Sequence, residues 1–261
     1  MRLLGVELDA VTMEDLHRVI AAAVADHRKA IVAHHNMHSI YLTQRDARMP
    51  EFYRKARCIH ADGMALIFLG KLLGLDLRRE HRVTYVDWLR PLLAFAARRG
   101  FRVFYLGSRP GIAERAAARL RAEIPDLQMA THHGHFDATP DGAANRTVLL
   151  AIDRFQPDIL MVGMGMPRQE HWILDNLERI NASAILTSGA CMDYVVGIVP
   201  TAPRWMARIG FEWLFRLWSE PSRLWRRYLL EPWSVLTLLV RYGKQGLRPD
   251  LRRGDADADN R

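Results

Sequence analysis

The sequence predicts an α/β fold: a Rossmann-like, mostly parallel sheet with helices on both faces, followed by a C-terminal amphipathic helical appendage. Short apolar runs alternate with longer helical patterns up to about residue 190, which is the order of βαβ units. Beyond residue 200 the chain changes to basic, tryptophan-rich helical stretches. We therefore divide it into an α/β core at residues 1–200, an appendage at residues 201–245 and a disordered, weakly hydrophobic tail at residues 246–261.

Composition narrows the class of protein. With 261 residues, 49% of them hydrophobic, the chain can bury one sizeable core and carry an appendage. Its two cysteines, Cys58 and Cys191, are too few for a disulfide framework, which favours a reducing compartment. No signal peptide is recognisable at the N-terminus, and no apolar segment reaches the roughly 18 residues of a membrane span. We expect a cytoplasmic protein without an integral membrane segment.

The core elements follow from hydrophobic periodicity. Four apolar runs predict buried strands: Ala30–Ala33, Phe101–Leu106, Ile159–Val162 and Ala184–Thr187. Five longer patterns predict helices: Met13–Asp26, Tyr85–Arg99, Gly111–Ile124, Asp141–Phe155 and Gln169–Ile180. In such a sheet the ligand crevice lies beyond the carboxyl ends of the strands. The residues that follow the strands are therefore the first candidates for a site: His34-His35-Asn36, Gly107-Ser108-Arg109-Pro110-Gly111, Gly163-Met164-Gly165-Met166-Pro167-Arg168-Gln169 and Ser188-Gly189-Ala190.

Two of these segments that follow strands are typical of phosphate-binding sites. Gly163 and Gly165 allow the backbone to approach a ligand, and a helix beginning near Gln169 offers free N–H groups to an anion. Gly107 and Arg109 repeat the pattern after another strand. The alternative for the Gly163–Gly165 segment is a tight turn that binds no ligand, which explains its glycines nearly as well. The alternative for the Gly107–Arg109 segment is an ordinary βα loop.

Asp62 is the most suggestive carboxylate. It follows a short strand-like Cys58-Ile59 segment and has apolar neighbours, so we expect partial burial, which makes a carboxylate a better base at neutral pH. The competing interpretation is a common Asp-Gly turn with Gly63. The dispersed histidines give no metal motif and no covalent nucleophile signature occurs, so we expect neither a metal nor a cofactor.

The appendage combines positive charge with aromatic residues. The net charge of the chain is +8, which suits anionic partners. Basic amphipathic helices rich in tryptophan are typical of segments that lie on anionic membrane surfaces. The alternative is a helical hairpin that packs on the core and leaves its arginines in solvent. Five of the seven tryptophans fall in this segment: Trp205, Trp213, Trp218, Trp225 and Trp233.

Several short sequence motifs match the pattern of one protein family, and they occur in the same order along the chain. They are Asn36, Ala61-Asp62-Gly63-Met64, Arg82-Val83-Thr84 with Asp87, Leu106-Gly107 with Pro110-Gly111, Val162-Gly163-Met164-Gly165-Met166-Pro167-Arg168-Gln169-Glu170, Met192-Asp193-Tyr194 with Gly197, Ala202-Pro203-Arg204-Trp205, Glu212-Trp213-Leu214 with Arg216, and Pro221, Arg223 and Arg226-Arg227-Tyr228. On these residues the chain resembles the WecG/TagA/CpsF family, glycosyltransferase family 26, over nearly its whole length.

The resemblance implies a function and its substrates. Such enzymes move a sugar from a UDP-sugar to a polyprenyl-diphosphate-linked saccharide at the cytoplasmic face of the plasma membrane, with inversion at the anomeric carbon. The donors include N-acetylmannosamine, its uronic acid and glucose. The resemblance therefore implies a peripheral, metal-independent glycosyltransferase that builds repeat units of an exopolysaccharide or surface polysaccharide.

The resemblance also assigns roles to matched positions. Asp62 is the expected general base, and Arg216, Arg223 and Arg226 are expected to stabilise the charge on the leaving diphosphate, with Arg82 of the core as a further candidate. Gln169 is expected to orient the donor. The full set expected to bind substrate is His34, Asn36, Arg82, Gly107, Arg109, Gly163, Gly165, Gln169 and Glu170.

The chain departs from the family pattern at three places, which leaves the donor sugar undetermined. His34 stands where the family usually has Thr, Tyr85 where Gly is usual, and Ser188-Gly189-Ala190-Cys191 replaces a more usual Gly-Gly-x-Phe. Two other functions compete with glycosyl transfer. A nicotinamide-dependent oxidoreductase accounts for the core alone, and a non-catalytic nucleotide-binding module at the membrane would tolerate loss of Asp62. We expect no nucleic-acid partner, and the acceptor glycan, its linkage, the polymer and the oligomeric state stay open.

Overall fold

The computed structural model describes residues 1–203, 206 and 211–242. Its main sheet has six strands, all parallel, in the order β4-β3-β8-β7-β5-β6. A separate antiparallel hairpin pairs β1 with β2. The strands are β1 (Arg2–Leu3), β2 (Val6–Glu7), β3 (Ala30–His35), β4 (Ala56–Ala61), β5 (Val103–Gly107), β6 (Met129–His132), β7 (Ile159–Gly163) and β8 (Ala184–Thr187). The predicted α/β class with a parallel sheet is confirmed.

Helices connect the strands. Those of the core are α1 (Met13–Ala25), α2 (Met37–Thr43), α3 (Arg48–Lys55), α4 (Met64–Leu72), α5 (Tyr85–Arg99), α6 (Ile112–Glu123), α7 (Ala143–Phe155), α8 (Arg168–Asn176) and α9 (Cys191–Val195). All five helices and all four strands predicted from periodicity are present, with ends that shift by a few residues. The sequence reasoning did not identify α2, α3 or α4. The last of these, MALIFLGKL, is apolar almost all round and has no clear helical period.

Helices cover both faces of the sheet because side chains alternate along each buried strand. On β5, Val103 and Tyr105 enter one core and Phe104 and Leu106 enter the other. Helices α1, α5, α6 and α9 pack in the first core, and α3, α7 and α8 pack in the second. The continuous apolar runs of the sequence therefore reflect burial on two sides.

A cleft begins at the carboxyl ends of the strands at the centre of the sheet. Strands β3 and β8 are neighbours, and the chain leaves them in opposite directions. After β3 it runs through α2 to α3 on one face, and after β8 it enters α9 on the other face. Two loops that diverge in this way open a crevice between the carboxyl ends of adjacent strands.

The appendage is helical where the structure describes it. It contains α10 (Glu212–Ser219), α11 (Pro221–Trp225), a π-helical turn (Arg226–Leu230) and α12 (Glu231–Tyr242). Val235 and Leu238 of α12 are buried in a third core together with the β1–β2 hairpin, α2 and α4. Burial of such side chains from water is what fixes this helix on the core. Arg204, Trp205, Arg208 and the predicted disordered tail lie outside the described residues.

Gly107 and Gly163 are required for close packing of the sheet. They are register partners at the ends of β5 and β7. A Cβ atom on Gly107 would overlap the carbonyl oxygen of Gly163, and one on Gly163 would overlap the carbonyl oxygen of Gly189 and the hydroxyl of Tyr105. Fixed backbone atoms cannot move aside easily, so packing alone accounts for these two glycines.

We predict that Gly163→Ala destabilises the protein by about 1–3 kcal/mol, because it overpacks the sheet. Gly111→Ala is the matched control, since Gly111 has a positive φ of 79° but open space around its Cβ position, and its backbone strain costs about 1 kcal/mol. Urea unfolding measures both free energies. A smaller loss for Gly163→Ala than for Gly111→Ala would contradict the packing account.

Candidate active site

One cleft of about 370 Å³ lies beyond the carboxyl ends of the central strands. Residues from the core and from the appendage line it together. The lining consists of His34, Asn36, His38, Asp62, Thr84, Tyr85, Val86, Gly165, Met166, Gln169, Ser188, Gly189, Ala190, Cys191, Tyr194, Arg216, Leu224, Arg226, Arg227 and Glu231. The arrangement places a carboxylate from the sheet and three arginines from the appendage around the same space.

Asp62 is held at the end of β4. Its backbone N–H donates to the carbonyl oxygen of His35 at 2.8 Å, and Val83 N–H donates to the carbonyl oxygen of Ala61 at 2.9 Å, which fixes the turn on both sides. The Asn36 side-chain amide donates to Asp62 Oδ2 over a long 3.4 Å. The Asp62 side chain is 31% exposed, which agrees with the partial burial expected from its apolar neighbours in the sequence. A carboxylate that is fixed in place but open to the cleft can accept a proton from a bound hydroxyl.

His34 stands beside Asp62 as a neutral imidazole. Its Nδ1 atom lies 3.1 Å from the carbonyl oxygen of Thr187 and 3.0 Å from the hydroxyl of the same residue. The Nε2 atom lies 3.9 Å from Asp62 Oδ2, which is beyond hydrogen-bond distance. Burial lowers the pKa of His34, and it lowers those of His35 and His60 to about 3. His34, His35 and His60 are therefore uncharged, and none of them forms an ion pair with Asp62 that a substrate would have to break.

The appendage supplies the cationic wall of the cleft. Arg216, Arg226 and Arg227 line it, and the Arg216 guanidinium lies 5.9 Å from the ring centroid of Tyr194 on α9. Guanidinium groups bind phosphate oxygens through paired N–H donors. Arg227 was not among the predicted site residues. The third arginine predicted in the appendage, Arg223, belongs to α11, but its side chain lies outside the described residues.

The amino ends of several helices also face the cleft. Asn36 caps α2, Tyr85 begins α5, and Gln169 and Cys191 stand in the first turns of α8 and α9. Each helix start carries the positive end of the helix dipole, although some of its N–H groups are already paired, such as that of Ser39 with Asn36 Oδ1 and that of Gln169 with the carbonyl oxygen of Gly165. Together with the arginines they make the cleft suitable for a phosphorylated ligand.

Gln169 is oriented by its buried neighbour Glu170. The Gln169 side chain donates from Nε2 to Glu170 Oε1 at 2.8 Å and accepts from the Gly189 N–H at 3.3 Å. Glu170 is fully buried, and burial raises its pKa to about 7. Glu170 thus acts through Gln169 and does not line the cleft.

The structure brings together only part of the set predicted from the sequence. Asp62, His34, Asn36, Gly165, Gln169, Arg216 and Arg226 line the cleft. Five predicted residues are not among the described lining residues: Arg82, Gly107, Arg109, Gly163 and Glu170. Arg82 donates from Nη1 to Asp87 Oδ2 at 2.8 Å, and Arg109 is exposed on the loop after β5. The loops just past the strands supply part of the lining, and which of their side chains turn inward depends on the packing of the loops.

Sequence reasoning missed the contact that attaches the appendage at the rim of the cleft. His38 Nδ1 on α2 lies 2.8 Å from Glu231 Oε2 at the start of α12, and both residues line the cleft. The two positions are 193 residues apart, and neither belongs to a recognisable motif. No local signal in the sequence could have paired them.

The described parts of the chain contain no cluster of three or more histidine, cysteine or acidic side chains able to hold a metal ion. Within the same ranges, none of the helices combines the length and the apolar character that crossing a bilayer demands.

Comparison with known proteins gives the family. The model of the "Glycosyl transferase WecG/TagA/CpsF family" matches residues 1–249. The chain belongs to the WecG/TagA/CpsF glycosyltransferase family. Curated relatives from Staphylococcus aureus strains MRSA252, MW2 and NCTC 8325 are each 27% identical over 228 residues, which is 86% of either chain, and each is named N-acetylglucosaminyldiphosphoundecaprenol N-acetyl-beta-D-mannosaminyltransferase. The family resemblance seen in the sequence is thereby confirmed.

We predict that Glu231→Gln loosens the appendage of this WecG/TagA/CpsF family member. The substitution removes the charge that His38 contacts in a largely buried site, which costs about 1.5–3 kcal/mol. Hydrogen–deuterium exchange should then quicken in α12 while the exchange of β7 and β8 stays unchanged. Glu51→Gln, at an exposed position, is the control, and equal exchange of α12 in both variants would argue against this anchoring role.

The buried carboxyl of Glu170 makes the stability of the protein depend on pH. Its folded-state pKa of about 7 lies above the 4.5 of a glutamate in water, so its contribution to stability is fully present below about pH 4.5 and is lost as pH rises through 7, by about 3 kcal/mol. Glu170→Gln removes the penalty of burying a charge. We expect the variant to gain melting temperature relative to the parent at pH 8 but not at pH 4, whereas exposed Glu178→Gln should show no such trend. A constant difference at both pH values would refute the assignment.

Proposed function

We propose that this protein is an inverting, metal-independent glycosyltransferase that moves a sugar from a UDP-sugar to a polyprenyl-diphosphate-linked saccharide during assembly of a bacterial exopolysaccharide or surface polysaccharide. Family membership supports glycosyl transfer in polysaccharide biosynthesis. The acceptor class is taken from the relatives, whose name specifies an undecaprenol diphosphate carrying N-acetylglucosamine.

The observation that carries the proposal is that one cleft contains both a carboxylate able to act as a base and several guanidinium groups able to bind a diphosphate. Asp62 lies on the side of the sheet, and Arg216, Arg226 and Arg227 lie on the side of the appendage. Transfer from a nucleotide sugar needs a base for the incoming hydroxyl and positive charge for the departing diphosphate. A cleft that only bound a nucleotide would have no use for an open carboxylate beside the phosphate site.

The mechanism follows from these positions. The acceptor hydroxyl attacks the anomeric carbon of the donor, and Asp62 Oδ2 takes the hydroxyl proton as the new glycosidic bond forms. The bond from the anomeric carbon to the diphosphate oxygen breaks on the opposite face, which inverts the configuration. Negative charge that develops on UDP is stabilised by the arginines and by the N–H groups at the starts of α8 and α9.

The donor sugar to test first is N-acetylmannosamine, because it is the sugar named for the relatives. Glucose and N-acetylmannosaminuronic acid complete the panel. At 27% identity, the cleft can keep the reaction of its relatives while differing in the groups that contact the sugar.

We place the enzyme peripherally on the cytoplasmic face of the plasma membrane. Several tryptophans of the appendage are exposed, among them Trp218 at 86% and Trp233 at 70%. Such rings lie favourably at the level of lipid headgroups, and the basic residues around them favour an anionic surface. Attachment there would bring the cleft to a lipid-linked acceptor.

The decisive experiment follows radiolabelled sugar from the panel of UDP-sugars into a lipid extract that contains polyprenyl-diphosphate saccharides. EDTA is present throughout, so that transfer under these conditions also tests metal independence. Wild-type protein should move label into the lipid phase from one donor. Tight UDP binding without transfer from any donor would favour the non-catalytic binding module.

Asp62→Asn should lower the transfer rate by about 10²–10⁴-fold, because the amide cannot accept the hydroxyl proton. UDP affinity should change little, since Asp62 is proposed to act on the acceptor hydroxyl and not on UDP. Asp175→Asn, an exposed carboxylate paired with Arg48, is the matched control. A variant of Asp62 that transfers at the control rate would rule out its role as the base.

Arg216→Ala should lower the turnover number by about 10²–10³-fold, because it removes a donor to the charge that develops on the leaving group. Arg18→Ala, whose guanidinium pairs with Asp15 on α1, should have no effect. Initial rates at saturating donor measure the difference. If only the Michaelis constant rises, Arg216 binds the donor without stabilising the transition state.

A further inference from the structure

The hydroxyl of Tyr85 is a buried polar group without a hydrogen-bond partner among the described residues. Tyr85 is only 8% exposed and lines the cleft. Two other buried tyrosines are satisfied: the hydroxyl of Tyr53 donates to the carbonyl oxygen of His34 at 3.1 Å, and that of Tyr105 lies 3.0 Å from Ser108 Oγ. Burying an unsatisfied hydroxyl costs stability, and native proteins rarely do it without a functional reason.

The position of this hydroxyl is fixed by its surroundings. Tyr85 is the first residue of α5. Its ring packs against Trp88, with centroids 5.2 Å apart, and meets the edge of the His34 ring at 6.4 Å. Aromatic packing on both neighbours holds the side chain in one orientation. The hydroxyl therefore cannot turn to bulk water for a partner.

Tyr85 lines the cleft in the neighbourhood of Cys191 and of Asp62, the proposed base. It is close enough to both Asp62 and Cys191 for these groups, after burial itself, to raise its pKa well above the usual value. Tyr85 thus remains a neutral phenol that can donate a hydrogen bond. Cys191 begins α9, the helix whose Tyr194 contacts the Arg216 guanidinium. A sugar held between the base and the arginines would pass this hydroxyl.

We propose that Tyr85 is a specificity-determining residue whose hydroxyl hydrogen-bonds with a polar substituent of the sugar being transferred. This inference rests on the proposed function, because it needs a donor that spans from the arginines to Asp62. The bound sugar would supply a partner that the phenol does not find among the described residues. A site built to hydrogen-bond one substituent rejects a donor that lacks it, since the buried group then stays unpaired.

Binding measurements on Tyr85→Phe test the contact without relying on turnover. Calorimetric titration without acceptor compares UDP, UDP-N-acetylmannosamine and UDP-glucose on wild-type protein and on the variant. The affinity for UDP should stay the same, because the proposed hydrogen bond is made to the sugar and UDP alone carries none. The affinity for the preferred UDP-sugar should fall about tenfold, and the preference over the other donor should fall with it.

Thermal unfolding separates a role in binding from a role in stability. Tyr85→Phe should keep or raise the melting temperature of the free protein, since it removes a hydroxyl without a partner. Tyr53→Phe is the matched control, because it removes a buried hydroxyl that does have one, and it should lower the melting temperature while leaving donor preference unchanged. The donor-induced rise in melting temperature should shrink only in Tyr85→Phe.

Two results would overturn the inference. Equal affinity of wild type and Tyr85→Phe for every UDP-sugar would show that the hydroxyl does not contact the sugar, even if wild type still transfers sugar and the proposed function stands. A loss of UDP affinity equal to the loss of UDP-sugar affinity would place the contact on the nucleotide. Failure of wild type to bind any UDP-sugar would instead remove the proposed function and this inference together.

Discussion

Burial of a fully parallel sheet on both faces is the constraint on which the site depends. Each strand must be followed by a connection that returns across the sheet, so all six strands end at the same edge. The loops after β3, β4, β7 and β8 then meet around one crevice, and the helices that follow present their amino ends to it. The topology therefore points the positive ends of several helix dipoles at the cleft, and the arginines of the appendage add to them.

The second constraint is that the cleft is incomplete without the appendage. The core contributes Asp62 and the helix starts, whereas the three described arginines of the lining come from residues 216–227. Burial of Val235 and Leu238 and the contact between His38 and Glu231 hold this segment at the rim. Because the same helices carry exposed tryptophans on their outer side, attachment to a membrane and completion of the phosphate site would depend on one structural unit.

The sequence disclosed what is encoded locally and missed what depends on packing. Short apolar runs predicted the strands, and apolar residues at helical spacing predicted the helices. The expectation that ligands bind beyond the carboxyl ends of the strands pointed to Asp62 and Gln169. The roles of Gly107 and Gly163 could not be anticipated, since a glycine that avoids a backbone overlap and one that approaches a ligand have the same sequence signature. Tyr85 was noticed only as a departure from the family pattern. That its buried hydroxyl finds no hydrogen-bond partner among the described residues is visible only in the folded cleft.

The central claim is that the arginines of the appendage and Asp62 of the core act on the same nucleotide sugar. A crystal structure of the full chain with UDP bound tests this most directly. The diphosphate oxygens should lie about 2.7–2.9 Å from guanidinium nitrogens of the appendage, with the terminal phosphate facing the space between Tyr85 and Asp62. UDP bound instead at the second arginine-lined groove, between α1 and α5 beside Arg18, Arg98 and Arg99, would contradict the account.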